Sequence, residues 1–165
     1  MKKAFFLDRD GVININKGHI TSFNKIMLYP GINEGLKFIK DSGYLIIIIT
    51  NQSSIGRGLI NEIKLNEINQ YLINKISSRR NYIDEIFFCP HHPKYGLGKY
   101  KKKCSCRKPN NKLIEDAIYK WNISRENSYM IGDSLVDYMA AKKSKIKFFF
   151  KKNVHFLKQI KSIVS

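Results

Sequence analysis

Short apolar runs alternate along the chain with segments in which apolar residues recur at helical spacing. The run at residues 45–49 is continuous and rich in β-branched side chains, which is typical of a central strand covered on both faces. Strands that alternate with helices in this way favour a parallel sheet packed between layers of helices. The predicted strands are residues 4–7, 45–49, 86–88, 129–131 and 147–150.

Helical patterns fill most of the intervals between these strands. The first predicted helix has Asn33 as its N-cap, buries Leu36 and Ile39, and ends near Gly43. A longer helix is predicted at about residues 61–78. Its inward face comprises Ile60, Ile63, Ile68, Leu72 and Ile76. The next amphipathic helix is marked by Leu113, Ile114, Ala117, Ile118 and Trp121, and a terminal helix is predicted at residues 154–164.

Length and composition fit one folded domain. The chain has 165 residues, of which 43% are hydrophobic and 12% aromatic, enough to bury a core without disulfide bonds. We therefore predict a single α/β domain at residues 1–165, a doubly wound, Rossmann-like fold with helices on both faces of a mainly parallel sheet. In such a domain, ligands bind beyond the carboxyl ends of the strands.

The N-terminal segment has a short apolar run after two lysines, a pattern that superficially suggests a secretion signal. Asp8, Arg9 and Asp10 interrupt its apolar run after a few residues, so we interpret it as a strand. Elsewhere no apolar stretch approaches the roughly 18 residues needed to cross a bilayer. We expect a cytoplasmic protein without membrane contact.

The chain is strongly basic, with 30 Lys and Arg residues against 13 Asp and Glu and a formal net charge of +17. Such a charge can attract nucleic acid, an anionic membrane or phosphorylated metabolites. The lysines are spread over the whole chain, which indicates a general compositional bias. The densest run, at residues 99–103, is interpreted as a solvated loop.

Two carboxylates, Asp8 and Asp10, follow the first predicted strand, and Gly11 then permits a sharp turn. Residues two apart in an extended chain point to the same side, so these carboxylates are expected to lie together. Carboxylates that close repel unless a cation lies between them, and Mg²⁺ suits an oxygen-rich site of this kind. The pattern predicts an Mg²⁺ site at the end of this strand.

Further polar residues follow the other predicted strands. Thr50 closes the second strand, where its hydroxyl and the neighbouring amides could hold phosphate oxygens. Arg107 and Lys108 precede a helix and supply positive charge for a phosphoryl group. Asp133 is a further candidate Mg²⁺ ligand, and Asp137 is expected to cap or orient the site. These motifs at successive strand ends predict phosphoryl transfer.

All three cysteines fall in residues 89–106, close to two histidines. Clustered thiols in a reducing compartment favour metal binding over disulfides, and four such ligands make a tetrahedral Zn²⁺ site. Because four protein ligands leave no open position, the predicted zinc is structural and orders the loop. His92 is the alternative to His91 as a ligand. The predicted Zn²⁺ ligands are Cys89, His91, Cys104 and Cys106.

The motifs FFLDRDG, IIIITNQS, CRKP and YMIGDS resemble those of the haloacid dehalogenase-like hydrolase superfamily. The resemblance implies that Asp8 is the nucleophile, which forms a phospho-aspartate, and that Asp10 is the general acid and base. It also implies that Thr50 and Lys108 bind the phosphoryl group. The implied Mg²⁺ ligands are Asp8, Asp10 and Asp133.

The segment CPHHPKYGLGKYKKKCSCRKP narrows the resemblance to the histidinol-phosphatase-related branch, and the likeness extends to about residue 150. The length of this loop and the segment TNQSSIGRG are similar to the sugar-bisphosphate phosphatases of that branch. This implies a small-molecule substrate, with hydrolysis of the 7-phosphate of a heptose 1,7-bisphosphate on the route to nucleotide-activated heptose. The implied substrate contacts are Asn16, Lys17, Gly18, His19, Thr50, Asn51, Gln52, Ser53, Arg107 and Lys108.

Two positions depart from the pattern of the family. Ser134 stands where the fourth motif often has a lysine, which removes a basic side chain that could contact the distal phosphate or the sugar. His19 stands where a tyrosine is common. We expect these two positions to affect which substrate is bound more than they affect the chemical step.

Three other functions fit parts of the pattern. Histidinol phosphate is one alternative substrate, and an open site without a large cap domain could also admit a nucleic-acid 3′-phosphate. Against nucleic acid, no platform of interleaved aromatic and basic residues stands out. A zinc-stabilised nucleic-acid-binding module would leave the strand-end motifs unexplained. We therefore expect a monomeric enzyme that acts on a small molecule and has no nucleic-acid partner.

Overall fold

The computed structural model describes residues 1–77 and 79–164. Five strands form one parallel sheet in the order β3-β2-β1-β4-β5. β1 is the central strand, with β2 and β3 on one side of it and β4 and β5 on the other. The strands are β1 (Lys3–Leu7), β2 (Tyr44–Asn51), β3 (Glu85–Cys89), β4 (Tyr129–Gly132) and β5 (Lys147–Phe150).

Helices cover both faces of this sheet, which confirms the predicted α/β class. Short 3₁₀ turns at Phe23–Lys25 and Gly98–Tyr100 interrupt the longer loops. The helices are α1 (Ile32–Asp41), α2 (Ser53–Gly56), α3 (Glu62–Ile76), α4 (Lys112–Trp121), α5 (Leu135–Lys143) and α6 (Phe156–Val164).

The side chains of β1 divide the core into two halves, because successive residues of a strand point to opposite faces. Phe5 and Leu7 pack with residues of α1, α3 and α6, whereas Ala4 and Phe6 pack with α4 and α5. All four side chains are fully buried. A strand covered on both faces needs apolar residues at every position, which explains the unbroken apolar run.

The strand register brings the polar motifs to one edge of the sheet. Leu7 lies opposite Ile48 of β2 and Ile131 of β4. Asp8 follows directly, and its main-chain N–H donates to the Ile131 carbonyl at 3.0 Å. The segments after β1, β2 and β4 therefore meet at the carboxyl ends of the strands, where doubly wound domains bind ligands.

Two details of the predicted helices are wrong. α1 begins at Ile32 with Gly31 as its N-cap, so Asn33 lies inside the helix. Ile32 is only 1% exposed, and an earlier start lets the first turn bury this side chain. In α3, Ile63 is 70% exposed whereas Leu65 is buried, because two residues correspond to about 200° of helical rotation.

Two helices had no sequence prediction, α2 and α5. α2 is a single turn. In α5 the apolar residues do not recur at helical spacing on one buried face, and Leu135, Tyr138 and Met139 are exposed. The start of α5 is fixed instead by polar contacts, since the Ser134 hydroxyl donates to the Asp137 carboxylate at 2.5 Å and the Ser134 N–H donates at 3.1 Å. Such capping can set the start of a helix without an apolar pattern.

The limits of the predicted elements and domain are only partly covered. α3 ends at Ile76, and Ser78, the predicted end, lies outside the described residues. The single domain at residues 1–165 stays a prediction. None of the described helices combines the length and the apolar character that a membrane crossing requires.

Candidate functional site

A cavity of about 330 Å³ opens where the segments after β1, β2 and β4 meet. Most residues predicted for catalysis or substrate binding line it, and Lys17 and Arg107 do not. The predicted residues in its lining are Asp8, Asp10, Asn16, Gly18, His19, Thr50, Asn51, Gln52, Ser53, Lys108 and Asp133.

Lys108 is 3% exposed and lies in the floor of this cavity. Its Nζ lies 3.0 Å from Oδ1 of Asp8 and 2.6 Å from Oδ1 of Asp137, and it donates to the Ile49 carbonyl at 2.8 Å. Two ion pairs and one hydrogen bond therefore surround the ammonium group. Burial alone would lower the pKa of Lys108, but the two carboxylates outweigh it and raise the pKa above its ordinary value. The lysine is therefore a fixed cation beside the predicted nucleophile.

Asn51, predicted to contact substrate, also holds the main chain of Lys108. Its side-chain N–H donates to the Lys108 carbonyl at 3.1 Å, and its Oδ1 accepts from the Lys108 N–H at 3.0 Å. The two bonds tie the end of β2 to the segment before α4. The position of the lysine is thus set by a side chain of another motif.

Three carboxylates gather around Lys108, and we call Asp8, Asp133 and Asp137 the carboxylate cluster. Each offers an oxygen within 4.8 Å of the others. Their approach requires a glycine at position 11, since a Cβ on Gly11 would lie 1.8 Å from Oδ2 of Asp133. Three ionised carboxylates and one ammonium leave a net charge of about −2, which a divalent cation would balance.

The pKa of the predicted nucleophile, Asp8, reflects both its burial and the charges around it. Burial raises the pKa of Asp8 to about 7, while the charge of Lys108 opposes the rise and that of Asp137 adds to it. Burial also raises the pKa of Asp133, again with a contribution from Asp137. A cation bound among these oxygens would favour the ionised, nucleophilic form of Asp8.

The Asp10 carboxylate is held separately by four donors. Arg9 donates to both of its oxygens, at 3.1 and 2.9 Å, and Asn14 and Gln52 donate at 2.9 and 2.8 Å. Burial would raise the pKa of Asp10, but the Arg9 guanidinium and these hydrogen bonds outweigh it and lower the pKa. The spacing predicted that Asp8 and Asp10 share a cation through their side chains. Because β1 ends before both residues, the turn directs the two carboxylates to different partners.

The segment after β2 borders the cavity with hydroxyl and amide groups. Thr50 and Ser53 are both buried. Gln52 connects this segment to the first motif, since its Nε2 donates to the Thr50 hydroxyl at 3.0 Å as well as to Asp10. The arrangement can offer donors to phosphate oxygens close to Lys108.

Residues 16–19 form an exposed rim of the cavity. The Gly18 N–H donates to Oδ1 of Asn16 at 3.1 Å. Partial burial and the nearby charge of Arg57 lower the pKa of His19, so its ring is neutral at pH 7. Lys17 belongs to the same rim but is turned outside the cavity lining.

A second group of side chains lies after β3, and we call Cys89, His91, Cys104 and Cys106 the cysteine cluster. Sγ of Cys89 is 3.6 Å from Nδ1 of His91, 3.5 Å from Sγ of Cys104 and 2.6 Å from Sγ of Cys106. All four ligand atoms lie within 4.8 Å of one another, and the three cysteines form no disulfide. Four nitrogen and sulfur ligands that face one another in this way are the complement of one tetrahedral ion.

The two neighbouring histidines have different surroundings. His91 directs Nδ1 into the cysteine cluster. Nδ1 of His92 instead accepts hydrogen bonds from the main-chain N–H groups of Lys94 and Tyr95, at 3.2 and 3.1 Å. The structure therefore brings His91 to the thiols and leaves His92 in its own turn.

The cysteine cluster is tied to the active-site segments. The Cys89 carbonyl accepts from the Gln52 N–H at 2.8 Å, and Nη1 of Arg107 donates to the His91 carbonyl at 3.1 Å. Arg107 thus anchors the loop rather than lining the cavity. The loop that carries the cysteines is joined both to β2 and to the segment that precedes the buried lysine.

Sequence reasoning missed Arg9 and Asn14, which donate to Asp10, and Asn69, which contacts Arg9. Arg9 is 1% exposed and donates through Nη1 to Oδ1 of Asn69 in α3, at 2.9 Å. The sequence could have indicated Arg9, because a charged side chain next to a buried strand needs a partner for its charge. Asn69 had a weaker signal, as a polar residue among the apolar positions of the inward face of α3.

The fold and the carboxylate cluster define the class of this enzyme. The model of the haloacid dehalogenase-like hydrolase family matches residues 2–145. The chain therefore belongs to the haloacid dehalogenase-like hydrolases, which confirms the predicted superfamily and the prediction of an enzyme.

Its relatives include proteins named D-glycero-β-D-manno-heptose-1,7-bisphosphate 7-phosphatase. The one from Haemophilus ducreyi is 38% identical over 147 residues, which cover 88% of this chain and 80% of the relative. The one from Pasteurella multocida is 39% identical over 147 residues, covering 89% and 79%. The crystal structure of D,D-heptose 1,7-bisphosphate phosphatase from B. bronchiseptica, complexed with magnesium and phosphate, has a TM-score of 0.81 at 25% identity and covers 98% of this chain and 86% of that one. The predicted resemblance to this kind of phosphatase is confirmed.

Proposed function

We propose that this chain is an Mg²⁺-dependent phosphatase that removes the 7-phosphate of D-glycero-β-D-manno-heptose 1,7-bisphosphate. The observation that carries the chemistry is the pairing of Asp8 with Lys108, 3.0 Å apart, in the floor of the cavity. The substrate and its β anomer are supported by the names of the relatives, which match most of the chain. We expect a monomeric, cytoplasmic enzyme on the route to nucleotide-activated heptose.

The carboxylate cluster fits Mg²⁺. Asp8 and Asp133 would supply carboxylate oxygens. Asp10 is the third proposed ligand, and its carboxylate also accepts from four donors. Bound Mg²⁺ would offset the negative charge of the cluster and of the phosphoryl oxygens. The magnesium and phosphate in the B. bronchiseptica structure support this cofactor.

In the first half of the reaction, a carboxylate oxygen of Asp8 attacks phosphorus while the bond from phosphorus to the C7 oxygen breaks. Asp10 gives the departing oxygen the proton that it took up from water in the previous cycle, against the four donors that otherwise favour its ionised form. Lys108, beside Asp8, and the Thr50 hydroxyl stabilise charge on the remaining phosphoryl oxygens. The products are the sugar with a free hydroxyl group at C7 and an acyl phosphate on Asp8.

In the second half, Asp10 accepts a proton from a water molecule whose oxygen attacks phosphorus. The bond between phosphorus and the Asp8 oxygen breaks, which releases inorganic phosphate. The Asp8 carboxylate is restored, and Asp10 carries the proton that the next first half requires. One aspartate thus serves as acid and base in turn.

The cysteine cluster would hold a structural Zn²⁺ through Cys89, His91, Cys104 and Cys106. The separations of their ligand atoms support this set, and no fifth position is needed. The ion would order residues 89–106. It would thereby keep Arg107 and Lys108 in place.

The substrate would lie along the rim and the segment after β2. Thr50 and Lys108 would hold the transferred phosphoryl group, and the residues that border the cavity support contacts to the sugar. Lys17 and Arg107 do not line the cavity, so they would contact the substrate only where it extends beyond the cavity. The proposed substrate contacts are Asn16, Lys17, Gly18, His19, Thr50, Asn51, Gln52, Ser53, Arg107 and Lys108.

The proposal is tested by phosphate release in the presence of Mg²⁺. The substrates are both anomers of the heptose bisphosphate, histidinol phosphate and a 3′-phosphorylated oligonucleotide. We expect the highest kcat/KM with the β anomer. A preference for histidinol phosphate or the oligonucleotide would refute the substrate but keep the chemistry, and an oligonucleotide substrate would bind less tightly as salt increases. Release from none of them would refute the phosphatase itself.

A further inference from the structure

Asn69 is a buried polar residue on the inward face of α3. It is 6% exposed and lies beside Ile68 and Leu72, which belong to the apolar core. Its Oδ1 accepts the 2.9 Å hydrogen bond from Nη1 of Arg9. Burying an amide is costly unless it is hydrogen-bonded, so the contact with Arg9 accounts for a polar residue at this place.

Arg9 carries this contact on to Asp10. Nε and Nη2 of the guanidinium donate to the two carboxylate oxygens, at 3.1 and 2.9 Å. A planar guanidinium fork fixes the plane of the carboxylate that it binds. Since Asn69 holds the third nitrogen of the same group, rotation of the fork would break a hydrogen bond. Asn14 and Gln52 also donate to this carboxylate, and Asn69 adds a contact from α3, which lies outside the motifs that carry the chemistry.

We propose that Asn69 is a positioning residue, which acts through Arg9 to hold the Asp10 carboxylate towards the leaving group. This rests on the proposed function, in which Asp10 gives a proton to the departing oxygen. General acid catalysis depends on the geometry between donor and acceptor. Loss of the contact would therefore slow the departure of an alkyl oxygen, which needs a proton. It would hardly affect p-nitrophenolate, which leaves without one.

The test compares three variants of the full chain. Asn69→Leu keeps the approximate volume but removes the acceptor, and Asn69→Asp keeps an oxygen at the same place. Asn74→Leu is the matched control, because Asn74 is an exposed residue of the same helix whose partner is Gln70 at 3.2 Å. For each, kcat/KM is measured with heptose bisphosphate and with p-nitrophenyl phosphate, since this parameter reports steps up to release of the leaving group.

We expect Asn69→Leu to lower kcat/KM about tenfold with heptose bisphosphate and less than about twofold with p-nitrophenyl phosphate. Asn69→Asp should stay within about threefold of the unmodified chain, and Asn74→Leu should match it. Equal effects of Asn69→Leu on both substrates would overturn the inference. If Asn69→Leu does not fold, Asn69→Ala is compared in the same way, with the same outcomes. An unmodified chain without Mg²⁺-dependent activity would overturn both proposals, whereas an active chain without discrimination by Asn69 overturns only this one.

Discussion

The carboxylate cluster and the cysteine cluster lie at the same edge of the sheet. They differ in that the first borders an open cavity, whereas the ligand atoms of the second are directed towards one another. In the carboxylate cluster, Lys108 offsets part of the charge and a cavity opens beside the oxygens. In the cysteine cluster, the four ligand atoms face one another. One arrangement leaves positions for a substrate, and the other would be complete with a single ion.

Under the proposed function, the carboxylate cluster would carry the chemistry and the cysteine cluster would support the fold. Burial raises the pKa of Cys89, as it raises that of Asp8, so each cluster would be stabilised by a cation. A closed set of four protein ligands is typical of structural zinc, whereas catalysis requires an open position. We therefore expect the loss of each ion to have a different result.

The largest effect is expected from Asp8→Asn, which removes the nucleophile. Turnover should fall at least about 1,000-fold, because an amide oxygen does not form the acyl phosphate. Phosphate release measures the loss, and circular dichroism should show an unchanged fold. Residual activity within about tenfold of the unmodified chain would contradict the assignment of Asp8.

Lys108→Met should be nearly as severe for activity and should also lower stability. It removes the cation beside Asp8 and leaves the Asp137 carboxylate buried without its partner. We expect kcat to fall about 100-fold or more and the free energy of unfolding to fall by about 3–5 kcal/mol. Lys112→Met is the control, since Lys112 pairs with Asp116 on the surface and little should change. Similar results for the two lysines would show that Lys108 has no special role.

Removal of the two ions separates the clusters directly. A zinc chelator, or Cys106→Ser, should release the ion and lower the thermal midpoint by about 10 °C, with activity falling because Lys108 loses its support. Removal of Mg²⁺ should abolish activity while lowering the midpoint by only a few degrees, on the order of 2–4 °C. Metal content, thermal unfolding and phosphate release are measured on the same samples. A protein that contains no zinc and is unaffected by chelation would refute the structural role.

The last prediction concerns the pH dependence of stability without Mg²⁺. The pKa of Asp8 is raised from 3.8 to about 7 in the folded protein, so between these values the folded state binds the proton more tightly than the unfolded state. The contribution of Asp8 to the free energy of unfolding is therefore full below pH 3.8 and is lost as the pH rises towards 7. Denaturant unfolding should show this decline in the unmodified chain relative to Asp8→Asn, and Mg²⁺ should reverse it. Parallel pH curves for the two proteins would contradict the raised pKa.

Much of the fold followed from local patterns. The five predicted strands agree with β1 to β5 within a few residues, because buried parallel strands require continuous apolar runs. The errors concerned single residues. Asn33 is a good capping residue, but the burial of Ile32 moved the start of α1, and Ile63 is apolar yet exposed. Tertiary packing decided both.

The sequence by itself predicted which residues carry the chemistry, since Asp8, Thr50 and Asp133 lie at or directly after strand ends and Lys108 precedes a helix. Parallel strands place such residues at one edge, so their proximity could be predicted without knowing any contact. The cysteine spacing likewise predicted a cluster of ligands, although not which histidine would join it.

Only the tertiary structure decided how these groups are oriented. The turn after β1 sends Asp8 to Lys108 and Asp10 to Arg9, although the two aspartates are separated by a single residue. Asn51 holds the main chain of Lys108, and Asn69 reaches Arg9 from another helix. Hydrogen bonds of this kind join residues far apart in sequence, and their geometry depends on packing that no local pattern encodes.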